Sequence, residues 1–306
     1  MRSRPGACAA TALLLIAALG AVRAVAAAPL VSVIIDDMGD SLQQGRTALE
    51  LPGAVAYAFL PESPHTVPLA ERAYAAHKEI LVHLPLQPME ARAHPLALSM
   101  QASAPSRHDS LQQLLASVPH ATGVNNHQGS QATANLGQMR WLMRELSLHP
   151  VGFFVDSRTT PNSVAYAVAR AYGIPSTRRQ VFLDHDPDAD AVEQQFSRLI
   201  ALAQRDGSAL AIGHPHPATL SMLARRLPQL AQQGISLIAP SELIRRVERS
   251  VPTLPVALRM SPALGHTSHS GTAAAIGAPP ADRPAASPLG ARSASPATAL
   301  AGPALR

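Results

Sequence analysis

Two adjacent carboxylates, Asp36 and Asp37, end the run Val31–Gly39, which reads VSVIIDDMG. His83 stands in ILVHLPLQP, and Asn125, Asn126 and His127 in GVNNHQGS. Asp156 and Arg158 follow in FFVDSRTT, and His214 and His216 in AIGHPHP. Each of these polar groups closes a short apolar run. Neutral imidazole and carboxylate are the ligands of zinc or a similar divalent ion where no thiol is at hand, and one Asp with two His would suffice for a catalytic site that keeps a position open for water. A single histidine beside a strand is more often a hydrogen-bonded structural residue than a ligand. Several strand ends that deliver His, Asp or Arg to one rim are harder to dismiss, because barrel active sites are assembled that way.

The elements that must position these groups are legible as apolar runs. Val31–Ile35, Val55–Leu60, Ile80–Leu84, Thr122–Asn125, Val151–Val155, Val181–Leu183, Ala209–Gly213 and Ile235–Ala239 read as strands, several of them apolar on both faces as in parallel sheets. Adjacent side chains point to opposite faces of a strand, so Asp36 and Asp37 share a site only where the strand already turns, and Gly39 permits that turn. Helices fill the intervals. Ser41 is placed to cap the first, Thr160 with Pro161 reads as a cap and first helical position, and Ser241 after Pro240 begins the last. Ser130–Leu148 is the most strongly helical stretch, with Leu136, Met139, Leu142, Met143 and Leu146 at spacings of three and four. The fold class expected is α/β, a distorted (β/α) barrel with seven to eight mostly parallel strands, with a doubly wound open sheet as the alternative.

The ends read differently from this central region. Residues 1–28 carry Arg2 and Arg4, a short apolar core (TALLLIAALGAV) and small residues at Ala24–Ala28, the pattern of a secretory signal peptide. Residues 251–306 are rich in Ala, Pro and Ser without apolar periodicity, and a disordered tail is expected there. The chain has one cysteine, Cys8, ahead of the apolar core, so disulfides and thiolate ligands are excluded from the mature protein. The whole chain is basic, but the first segment holds Arg2, Arg4 and Arg23 and the last Arg259, Arg283, Arg292 and Arg306 against Asp282 alone. Of 25 basic and 20 acidic residues, 18 and 19 are thereby left to residues 29–250. A nucleic-acid partner would need basic residues clustered on the folded part, and none is expected. No stable membrane span is expected once the signal is cleaved.

Several other patterns carry less. Asp184, Asp186, Asp188 and Asp190 alternate like the start of a calcium loop, but Ala189 stands where glycine is required and Gln195 where the bidentate Glu belongs. A solvated acidic loop leading into a helix is the better reading. Ser130 and Ser157 lie beside polar groups, yet no Gly-x-Ser-x-Gly elbow is present and helix or turn starts explain both. A phosphoesterase would require more carboxylates and a basic phosphate clamp.

The blocks IIDDMG (34–39), HLPLQP (83–88), GVNNHQGS (123–130), FFVDSRTT (153–160), VFLD (181–184) and AIGHPHP (211–217) together resemble the divergent polysaccharide deacetylase family, a branch of the polysaccharide deacetylase superfamily. The resemblance spans about residues 29–247. It implies metal-dependent removal of acetyl groups from N-acetylated sugars by a barrel enzyme, with an acetylated glycan or peptidoglycan-like substrate and a periplasmic location. It further implies that Asp36 is the general base and Asp37 a ligand of the metal, with zinc the expected ion. His83 matches the first histidine of the superfamily's His-x-x-x-His motif, while Gln87 replaces the second. His127 is the candidate that completes the ligand set, with the Gln87 amide a weaker one. His214 matches the late histidine that acts as general acid. The superfamily's tryptophan and arginine-proline motifs are absent in their usual form, and Asp156 and Arg158 are the candidates to substitute, tuning His214. The altered second motif, with only one Trp, four Tyr and five Phe in the chain, also admits a second reading: a catalytically inactive glycan-binding or envelope-assembly protein.

Overall fold

A computed structural model describes residues 28–250 apart from 91 and 100. The expected signal segment, save its last residue, and the expected tail lie outside the described residues. All eight expected strand positions carry strands: β1 (Leu30–Met38), β2 (Ala56–Phe59), β3 (Ile80–Leu86), β4 (Gly123–Gln128), β5 (Phe153–Asp156), β7 (Val181–Phe182), β8 (Ser208–Gly213) and β9 (Ser236–Leu237). A further short strand, β6 (Ser176–Arg178), was not anticipated, because Ser-Thr-Arg carries no apolar run. All pairings between these strands are parallel, in the order β6-β5-β4-β3-β2-β1-β8-β7, with β9 beside the start of β1. The sheet curls into a distorted (β/α) barrel.

Its seam is closed by one extended segment that changes partner midway. Residues 176–178 pair with β5, and residues 181–182 pair with β8. Between them, the Arg179 N–H donates to the Asp156 carbonyl and the Gln180 N–H to the Leu210 carbonyl, so the ladder is handed across without a gap in backbone satisfaction.

Strand alternation sorts the core. Ile34, Ala56, Ala58, Leu81, Phe153, Val155, Leu210 and Ile212 fill the barrel interior, joined by Ile244. Their neighbours Val33, Ile35, Tyr57, Val82, Phe154 and Ala211 face the surrounding helices. Inside the barrel, the Phe153 ring leaves no room for a side chain at Gly123, where a Cβ would lie 2.4 Å from it. Ile244 belongs to α9 (Pro240–Ser250), which is tied at its start by the Ser241 N–H donating to the Glu79 carboxylate, next to the first residue of β3. That helix therefore plugs the N-terminal mouth and leaves the opposite rim free.

The other helices are α1 (Leu42–Leu49), α2 (Thr66–Ala75), α3 (Ala104–Ala116), α4 (Ser130–Ala134), α5 (Leu136–Ser147), α6 (Ala165–Ala171), α7 (Ala189–Asp206) and α8 (Pro217–Arg226). Ser41 caps α1 as expected, accepting from the Gln44 N–H. Thr160 and Pro161 do not begin a helix. Thr160 makes a turn instead, its hydroxyl accepting from the Asn162 N–H, and α6 starts only at Ala165. The expected long helix over 130–148 is two, broken at Asn135, whose side chain caps α5 through the Gln138 N–H. Competition from a side chain that can supply the orphan N–H groups outweighs continuation of the helix there. Among the described residues no helix is long and apolar enough to cross a membrane.

Candidate metal centre

Parity along the strands decides which side chains reach the open rim. In β1 the inward residues are Ser32, Ile34 and then Asp36. In β3 they are Leu81 and His83, in β4 Gly123, Asn125 and His127, and beyond β8 the series Leu210, Ile212 continues to His214. Asp37 would fall outside, but its φ is 54° and the pairing register slips between Ile35 and Met38. The strand turns at that residue and both carboxylates face one site. Gly39, at φ 121°, completes the turn where a Cβ would strike the Thr66 hydroxyl at 2.3 Å.

Asn125, fully buried, joins two of these groups. Its Nδ2 donates to Asp36 Oδ1 at 2.7 Å, and its Oδ1 stands 2.8 Å from His83 Nδ1. Because Nδ2 must be the donor to the carboxylate, Oδ1 is the acceptor, and His83 carries its proton on Nδ1. In the neutral ring Nε2 then keeps its lone pair toward the site; burial opposes a second proton there, but the Asp36 and Asp37 carboxylates outweigh it and raise the His83 pKa while no cation takes that place. Nε2 lies 3.2 Å from Asp37 Oδ1 and 3.6 Å from Asp36 Oδ2. His127 Nδ1 approaches the same Asp37 Oδ1 at 3.0 Å. That oxygen is buried, yet neither imidazole meets it in an acceptable hydrogen-bond direction. One carboxylate oxygen and two imidazole nitrogens, all within 4.8 Å of one another, thus converge on a common point without bonding each other well. Such a donor set fits a divalent cation of the zinc type.

Across the site, His214 Nε2 is 3.7 Å from Asp37 Oδ2. Its Nδ1 is held at 2.9 Å by Asp184 Oδ1, while Asp184 Oδ2 accepts from the His214 N–H at 2.6 Å and the Thr219 hydroxyl at 2.7 Å. Asp184 is buried, so it does not belong to a solvated acidic loop, although Asp188 does cap α7 as that reading expected. Both Asp184 oxygens have partners within the protein. The grouping Asp184, His214 and His216 therefore lacks a free carboxylate for an ion.

Electrostatics separate the two acids. Burial raises Asp36 above the ordinary carboxylate range, against the opposing charges of His83 and His214. Burial would raise Asp37 too, but the His127 and His83 imidazoles hold it well below that range. Burial works against a charge on His214, yet the Asp184 bond and the nearby Asp37 and Asp36 charges lift it to about 9.

Asp156 and Arg158 are placed differently from expectation. Asp156 follows the outward parity of Phe154. Its carboxylate accepts from the Arg158 N–H, the Ser163 hydroxyl and the Tyr166 N–H, so it organises its own loop and the start of α6. No hydrogen bond or ion pair joins either residue to His214. The arginine that sequence reasoning missed is Arg179, at the barrel seam. Its guanidinium donates to the carbonyls of Ser157 and Arg158, lies 4.5 Å over the Phe182 ring and feels the Asp36 charge. Gln87 acts through its backbone, its carbonyl accepting from the Gln131 and Ala132 N–H groups at the start of α4. Asp184 was detectable, since VFLD repeats the pattern of IIDD: an acid directly after a buried run. Asp36, Asp37, His127, Arg179, Phe182 and His214 line an open cleft of about 480 Å³.

A family model described as divergent polysaccharide deacetylase matches residues 33–244. An uncharacterised protein, YibQ, of Escherichia coli strain K12 is 35% identical over 226 residues, 72% of this chain and 70% of that protein. An uncharacterised protein of Haemophilus influenzae is 34% identical over 231 residues, covering 75% and 81% of the two chains. The crystal structure of the uncharacterised protein ATU2773 from Agrobacterium tumefaciens C58 superposes with a TM-score of 0.66 at 21% identity, over 71% of this chain and 89% of that one. That likeness establishes the fold.

Proposed function

The chain belongs to the divergent polysaccharide deacetylase family, and from that premise we propose that it is a metal-dependent hydrolase that removes N-acetyl groups from an envelope glycan. The observation that carries the reading is the convergence of Asp37 Oδ1, His83 Nε2 and His127 Nδ1 on one point beside the buried carboxylate of Asp36. Those three residues would hold the cation, zinc being the ion that suits them best. Bound there, it would supply Lewis acidity and lower the pKa of a coordinated water.

Asp36 takes the proton of the attacking water. Burial raises its basicity, and Asn125 fixes its orientation. Asn125 also holds His83 in the tautomer a ligand requires. His214, kept protonated by Asp184, gives its Nε2 proton to the departing amine, while its Nδ1–H stays on the ring and donates to the Asp184 carboxylate. Arg179 braces the cleft wall and offsets the charge of Asp36. Secretion to the periplasm, through the N-terminal signal segment, would bring the site to such a substrate.

The test joins elemental analysis of the purified protein to acetate release from acetylated chito-oligosaccharides and peptidoglycan fragments. About one ion per chain is expected, lost together with activity in Asp37→Ala, whereas Asp36→Asn keeps the ion and loses turnover. A wild-type protein that takes up no metal at micromolar supply sinks the hydrolytic mechanism. Metal and glycan bound without acetate release would favour the inactive glycan-binding reading.

A further inference from the structure

The long connection from β3 to α3 passes beside the metal centre, and one side chain fastens it there. Gln128 Oε1 accepts from the His94 N–H at 3.1 Å, and Gln128 Nε2 donates to the Arg92 carbonyl at 3.3 Å. The carbonyl of one residue and the N–H two residues on face the same side of an extended chain. The glutamine amide therefore binds this strap as the N–H and C=O of one residue in a neighbouring parallel strand would. The backbone is arranged for the purpose. Gln128 has φ 52°, a left-handed conformation uncommon for a glutamine, and Gly129 follows at φ 86°. Its own carbonyl accepts from Asn126 Nδ2 at 2.8 Å and the Thr159 hydroxyl at 2.9 Å, so β4 itself and the loop after β5 hold that turn. Beyond the clasp, the His94 ring stands edge-on to the His127 ring, with centroids 5.5 Å apart. His94 Nδ1 accepts from the Leu96 N–H, which fixes the imidazole on the strap.

We propose that Gln128 is a positioning residue, whose amide clasps the Arg92–His94 strap to the rim so that His94 buttresses His127 on the outer side of the ligand set. The consequence for metal retention rests on the reading given under Proposed function. The clasp itself does not.

The experiment uses the full chain with Gln128→Met, which keeps the length and removes both hydrogen bonds, and Gln128→Glu, which keeps only the acceptor for His94. Hydrogen exchange on metal-free protein reads the clasp. About a tenfold faster exchange at the His94 amide is expected in the Met variant, less in the Glu variant, with the β1 and β8 amides unchanged. Competition for zinc against a chromophoric chelator reads the consequence. Faster zinc loss is expected in the Met variant, with partial recovery in the Glu variant. Unchanged exchange at His94 would overturn the clasp, and a freed strap with unaltered zinc retention would overturn the positioning role. A wild-type protein that holds no zinc would defeat the metal reading and with it the buttressing role, while the exchange measurement still decides the clasp.

Discussion

Asp184→Asn tests the pairing that the sequence reading placed elsewhere. In the native protein Asp184 offers one oxygen to His214 Nδ1 and the other to the His214 N–H and the Thr219 hydroxyl. The asparagine keeps one acceptor and a similar shape but removes the charge. His214 stands at about 9 against an ordinary 6.5, the Asp184 bond being the largest of the effects that raise it. Asp37 and Asp36 remain in the variant, so only part of the elevation is lost. A fall of at least about one pH unit is expected, which corresponds to about 1.4 kcal/mol. The sign extends to stability. The folded pKa lies above the unfolded one, so the pair's stabilisation is complete below about pH 6.5 and is lost as pH rises through about 9. The wild-type advantage over the variant should therefore shrink in alkaline solution. The assay is an NMR titration of the His214 imidazole in metal-free protein, accompanied by urea unfolding at pH 6 and pH 9.5. A His214 midpoint that stays at the wild-type value in Asp184→Asn would show that Asp184 does not control this histidine.

Asn125→Leu, nearly isosteric, leaves Asp36 Oδ1 and His83 Nδ1 without their buried partner; a loss of about 2–4 kcal/mol in urea unfolding is expected, together with weaker metal uptake. Gly123→Ala pushes a methyl group into the Phe153 ring and should cost about 1–3 kcal/mol by thermal denaturation, an effect that Phe153→Leu in the same chain relieves in part. Asp156→Asn disturbs the start of α6, not the metal site. Its lower melting temperature should come with unchanged metal stoichiometry by elemental analysis.

The strands, their parallel arrangement and the rim that gathers the polar side chains were legible because buried runs such as VSVII and ALAIG have a composition that few other structures permit, and because each ends on a polar residue. Alternation along those runs also sorts the polar side chains between the barrel interior and the helix layer. Asp156 shares the parity of Phe154 and faces away from the barrel axis, whereas His83 and Asn125 share the inward parity of Leu81 and Gly123. Ser176–Arg178 left no trace in the sequence, since it is a strand only by virtue of the open edge of β5.

Sequence by itself determined which residue types stand at the strand ends, and hence that any metal would be held by imidazole and carboxylate. Tertiary structure decided the pairings: Asp184 with His214, Asn125 with both Asp36 and His83, Gln128 with a strap more than thirty residues earlier in the chain. The physical reason is range. Alternation and turn chemistry act over a few residues along the chain, while a hydrogen bond between side chains is fixed by how the curled sheet sets one strand end against another.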